Sequence, residues 1–229
     1  SARKTLLEAA RYISRDNDDY LAKAARFFGN AFFTVNMLPD EIELINVSEE
    51  LRSYVEENLY KDVSGFEPDS NSVFSPAKAV QPAIFPIITR GKGAGFPNVV
   101  VDDDGVRRRI DLFINYRGKL YPQLVTAPLI DYLGNPEISV SGKNVTFKNG
   151  QFPDGTVKDI TIPLTSDGKM LINWPAKLFV DSFRHISFNN LLLHDKYLEN
   201  LIKNLEIMEK AGYLAFYQGE TPLLSMYHY

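Results

Sequence analysis

The sequence predicts a single α/β domain with a mixed, hairpin-rich β-sheet flanked by α-helices, and three observations predict it. Apolar residues recur at helical spacing near both ends of the chain. Three segments in the middle place turn residues between β-favouring runs. The composition is that of a folded chain, 45% apolar and 24% charged over 229 residues. A chain of this length buries a core large enough to need no crosslink, so one domain over residues 1–229 is the expectation.

Taken in order, Leu6, Leu7, Ala10 and Ile13, then Tyr20, Leu21, Ala24, Ala25 and Phe28, fit two short helices with the polar residues 15–19 between them. Gly29-Asn30 stops the second helix, and the run Ala31-Phe32-Phe33-Thr34-Val35 suits a buried strand. Ser48 caps a helix whose first turn holds Glu49 and Glu50, carboxylates that favour its positive end. That helix is expected to run to Tyr60, before an exposed Ser, Asn, Pro and Gly-rich loop over 62–79. Hairpins are predicted over 98–116 around Asp103-Asp104-Gly105, over 138–147 around Ser141-Gly142-Lys143-Asn144, and over 160–174 around Ser166-Asp167-Gly168. Residues 122–133 suit a helix with Pro128 in its first turn or at a kink. A last helix over 195–211 carries the stripe Leu198, Leu201, Ile202, Leu205 and Met208, and Gly212 ends it.

Charge and composition narrow the function. With 25 Lys and Arg against 29 Asp and Glu, the net charge of −4 offers no general attraction for phosphate backbones or anionic lipid, so nucleic acid is not an expected partner. The chain has no Cys, which removes disulfides, thiolate nucleophiles and iron–sulfur clusters. No apolar run approaches the roughly 18 to 20 residues that span a bilayer, and the opening Ser1 suits a segment of something longer, so any membrane anchor is expected outside the chain.

Motifs that suggest chemistry fail on spacing. In Arg90-Gly91-Lys92-Gly93-Ala94-Gly95 the Lys precedes the last glycine and no Ser or Thr follows, which excludes a P-loop and leaves a turn, or a loop lining a pocket. Counting Gly105 as the sixth position of a calcium loop puts Val100 where the first carboxylate belongs, and an Asp-Gly turn explains the same residues. His185, His194 and His228 are scattered, and no Gly-x-Ser-x-Gly elbow is present. Neither catalysis, nor a cofactor, nor a metal is expected. Strand alternation over 106–116 places Arg108 on one face with Val106, Ile110, Leu112, Ile114 and Tyr116, and Arg107 and Arg109 on the other. A guanidinium on an apolar face needs a carboxylate or a ligand anion, so Arg108 is expected to be partly buried and paired within the turn at Asp102 to Asp104.

The order of segments resembles the second class of CHASE domains, extracellular sensory domains associated with cyclases and histidine kinases. Asp19-Tyr20-Leu21-Ala22, Gly29-Asn30 and Gly95-Phe96-Pro97-Asn98 are similar to the family's early landmarks. Asp102-Asp103-Asp104-Gly105-Val106 with Arg108-Arg109 and Leu112 resembles its acidic turn and arginine pair, and Gly118 with Tyr121-Pro122 its following helix start. Ile162-Pro163-Leu164, Asp167-Gly168, Leu171-Ile172-Asn173-Trp174 and Phe183 with Ile186-Ser187-Phe188 resemble its closing part. The likeness covers residues 19–192, and 193–229 diverge as a helical C-terminal segment.

This resemblance implies the extracytoplasmic sensor of a transmembrane protein with a cytoplasmic output domain, an adenylate or guanylate cyclase ahead of a histidine or serine/threonine kinase. Candidate ligand contacts are Arg108, Asp104 and Asn173. The expected partner is an unidentified small molecule or envelope component, with a homodimer as a further expectation. A secreted hydrolase and an adhesion or assembly module are the rival classes.

Overall fold

The computed structural model describes residues 16–40, 47–68 and 72–213. The first predicted helix, at Leu6 to Ile13, lies outside the described residues. The chain divides into two compact units, Ser1–Asn173 and Trp174–Tyr229.

Among the described residues the first element of the first unit is helix α1, Asn17–Phe28. The Asp16 side chain accepts hydrogen bonds from the Asp18 and Asp19 amides, and Gly29 closes the helix at φ +74°, so part of the predicted polar linker is an N-cap and first turn. Strand β1, Phe32–Leu38, is followed by α2, Glu49–Asn58, which Ser48 caps by accepting from the Leu51 amide at 3.2 Å. Short strands β2, Val63–Ser64, β3, Pro76–Ala77, and β4, Ala79–Pro82, interrupt the Ser, Asn and Pro-rich stretch. The one-turn helix α3, Phe85–Ile88, then leads to β5, Gly93–Gly95. Pairing of β1 antiparallel to β4 and parallel to β5 makes the first sheet.

Strands β6, Arg109–Ile110, β7, Phe113–Tyr116, and β8, Lys119–Pro122, precede helix α4, Thr126–Tyr132, where Pro128 stands in the first turn as predicted. The longest sheet joins β9, Glu137–Ser141, β10, Asn144–Gln151, and β11, Val157–Pro163, with β2 at its edge. The predicted hairpin at Gly142 is the pair β9–β10. Strand β12, Met170–Leu171, ends the series.

Two predicted hairpins are corrected. The Asp104-Gly105 turn is closed by Gly105 N–H to the Asp102 carbonyl, but its far arm pairs elsewhere: β6 takes β12, and β7 takes β8 and β3. The Asp167-Gly168 turn likewise sends β12 to β6 instead of back onto β11. Gly168, at φ +77°, lies so close to Val73 that an added Cβ would meet its carbonyl oxygen at 1.6 Å. Long-range docking therefore decided these pairings over the local turns.

Two buried clusters flank β7–β8. Ile114, Tyr116 and Tyr121 join Val35, Val55 and Phe96 in one. Phe113 and Leu120 join Ile130, Val145 and Phe147 in the other. Successive side chains of a strand point to opposite faces, so this hairpin is buried on both. Phe113 falls on the face that alternation over 106–116 gives to Arg107 and Arg109, yet it is 0% exposed.

The second unit contains α5, Phe179–Ser182, and α6, Phe188–Lys210. Helix α6 begins seven residues before its predicted start at Asp195 and has no buried residue along its 23.

Candidate functional site

The acidic turn and its arginines form a closed ionic cluster. Between β5 and β6 the chain makes no strand, so Arg107 and Arg108 are freed from the alternation that the sequence suggested, and Arg109 opens the two-residue strand β6. Arg108 grips Asp104 with two bonds, Nη1 to Oδ1 at 2.9 Å and Nη2 to Oδ2 at 2.7 Å, and reaches Asp102 at 3.3 Å. Its side chain is 49% exposed, which corrects the expected partial burial on an apolar face; the expected carboxylate partner is in place. Arg109 donates to Asp102 from Nε at 3.1 Å and also from Nη2, and its Nη1 reaches Asp167 at 2.9 Å. Lys169 lies 3.6 Å from Asp111, whose carboxylate also accepts from the Ser75 hydroxyl at 2.9 Å.

Electrostatics follow these contacts. Bonding to Arg108 holds the Asp104 carboxyl well below the usual carboxylate range, at about 2. Arg109 lowers Asp102, and the Thr165 hydroxyl lowers Asp167. Four carboxylates face three cations here. The cluster pins the 102–111 segment to the 167–169 turn. Asn173 is exposed and, among the described residues, makes no side-chain hydrogen bond to Arg108 or Asp104, although the neighbouring Ile172 amide bonds the Arg108 carbonyl at 2.8 Å.

A cavity of about 260 Å³ lies elsewhere in the first unit, between the starts of β1 and β5, the end of α2, and α4. Phe32, Leu59, Ala94 and Ala127 give it apolar walls. Tyr54 and Asn58 of α2, Lys61, Lys92, Asp131 and Asn135 bring polar groups to it. The glycine run that failed as a P-loop is its floor: a Cβ on Gly91 would meet the Phe33 ring at 2.7 Å and one on Gly93 the Phe32 ring at 3.0 Å. The pocket-lining alternative for Gly91 to Ala94 is the one the structure shows.

Each polar wall residue is held by its element. Lys92 pairs with Asp131 at 2.6 Å and donates to Asn30 at 3.1 Å. The Lys61 backbone is anchored by its N–H to the Leu120 carbonyl at 2.8 Å, while its ammonium has no ion-pair partner among the described residues. Asn135 follows Gly134 in the left-handed region at φ +54°, which a non-glycine residue adopts only at a cost. Tyr54 stacks edge-on to Phe85, 6.1 Å between centroids, and burial pushes its phenol above its ordinary value. Sequence reasoning missed Tyr54, Asn58, Lys61, Asp131 and Asn135. The glycines around Lys92 and the pair Gly134-Asn135 were the available signals, but neither says which distant residues join them.

A family model described as CHASE2 domain matches residues 6–209. That range extends beyond the 19–192 likeness at both ends and takes in most of α6. No curated protein and no solved structure matches the chain.

Proposed function

The chain belongs to the CHASE2 domain family, an extracellular sensory domain of signalling proteins, and from that membership we propose that it is the extracytoplasmic sensing domain of a transmembrane nucleotide cyclase. In this reading ligand or partner binding biases the domain between arrangements, and the bias is relayed to a cytoplasmic adenylate or guanylate cyclase. The single observation that carries it is the extent of the family match, which runs through both compact units. No described helix is long and apolar enough to cross a membrane, so the anchor in this proposal is contributed by other segments of the parent protein.

The test is to express the full reading frame in membranes and measure cyclic nucleotide formation from ATP and GTP, with the segment intact and with it deleted. Cyclase activity that changes on deletion is the expected result. Phosphotransfer to protein in place of cyclic nucleotide would replace the cyclase by a kinase, and a cyclase indifferent to the segment would overturn the sensing role.

A further inference from the structure

The ionic cluster and the cavity differ in what their charges leave over, and the remainder at the cavity points to a ligand. Lys92 and Asp131 neutralise each other at 2.6 Å. Lys61, a half-buried residue of the lining, has no ion-pair partner among the described residues, so the lining carries one uncompensated positive charge in a protein whose net charge is −4. An unpaired cation at a cavity wall attracts an anion into the cavity.

Size and shape restrict that anion. A volume of about 260 Å³ corresponds to roughly eight or nine water molecules at about 30 Å³ each. One excess charge matches a singly charged group better than a phosphate dianion. The rings and methyls of Phe32, Leu59 and Ala127 need an apolar body to cover them, since a phosphate or a chain of waters would leave that surface wet. The Asn135 amide and the Tyr54 hydroxyl supply donors near a carboxylate, and the Asn58 amide, which gives one N–H to the Tyr54 carbonyl at 2.9 Å, has a second N–H. Asn135 is set there by its left-handed backbone, and the hydroxyl of Tyr54 has no hydrogen-bond partner among the described residues.

We propose that this cavity binds a small organic monocarboxylate, with its carboxylate at Lys61 and its apolar body against Phe32, Leu59 and Ala127. The proposal rests on the sensory reading for its purpose, but its binding chemistry rests on the cavity alone.

Propionate, valerate, benzoate and inorganic phosphate are titrated separately into the 229-residue chain, followed by amide chemical shifts and thermal melts. A monocarboxylate is expected to raise the melting temperature and shift the amides of Lys61, Gly93 and Asn135. Lys61→Met should weaken that binding by about tenfold or more, Lys61→Arg should retain it, and Arg108→Met in the ionic cluster should leave it unchanged. Should Lys61→Met fail to fold, Asn58→Trp at the exposed rim blocks the mouth and should abolish the same shifts. The proposal is overturned if none of the three carboxylates moves those amides, if phosphate alone does, or if the response survives both Lys61→Met and Asn58→Trp. These shifts read binding without output, so their absence leaves a sensor of a protein partner standing, and a parent without cyclase activity leaves the carboxylate site standing.

Discussion

The ionic cluster at Asp102 to Asp111 and the hairpin β7–β8 are neighbours in the chain and are held by opposite means. The cluster is exposed at Arg108 and Asp104, closes inward to Lys169 and Asp111, and depends on ion pairs; the hairpin is buried on both faces and depends on packing. Pairs in water contribute little each because solvent competes for both charges. A ring removed from a packed interior leaves a cavity and loses its transfer energy together. The comparison therefore teaches that the motif most legible in the sequence is not the part that carries most of the stability.

The largest effect should come from Phe113→Ala, which empties a site that is 0% exposed and touches Phe74 at 5.8 Å between ring centroids. Denaturant unfolding should show a loss of about 3 to 5 kcal/mol. A loss no greater than that of Arg108→Met would erase the contrast between the two regions.

Arg109→Met should have a smaller effect, and one that depends on acid. Arg109 depresses the Asp102 carboxyl, and Arg108 depresses Asp104 to about 2. A carboxyl with a lowered folded pKa contributes stability above its unfolded value of about 4, and that contribution disappears as pH falls through the folded value. The gap in denaturation midpoint between the natural chain and Arg109→Met should thus be open at neutral pH and close as pH falls below the unfolded carboxylate value of about 4. A gap that is constant with pH would place the role of Arg109 in packing. Arg108→Met should lie below Arg109→Met, since Arg109 alone reaches across to Asp167.

The smallest effect is expected at Tyr121, inside the hairpin. Its hydroxyl is buried with no hydrogen-bond partner among the described residues, and burial raises its pKa. Tyr121→Phe removes an unsatisfied polar atom, so stability should change by no more than about 1 kcal/mol and in the stabilising direction. A clear destabilisation would reveal a bound partner for that oxygen, such as an ordered water.

Legibility followed the range of the interactions. Helix caps at Ser48 and the stop at Gly29 were readable because both act over a few residues. The Gly142 turn was readable for the same reason. Alternation over 106–116 misled because it assumes one buried face; β7 has two, and the two arginines before it are not in a continuous strand with it. Arg108 found its carboxylates within six residues, so the pair was readable and its exposure was not. At the cavity, Lys61 and Asn135 are 74 positions apart and share no motif, so nothing local announced them.

By itself, the sequence determined the α/β class, the local caps and turns, the Arg108 pairing and the family likeness, all of which rest on neighbouring residues or on their order along the chain. The partners of β6 and β12, the double burial of β7–β8 and the cavity around Lys61 were decided only by tertiary structure. The reason is physical: a turn closes over a few residues, whereas β12 reaches β6 only because Gly168 lets the chain lie against Val73, and a cavity exists only where separate elements fail to fill the space between them.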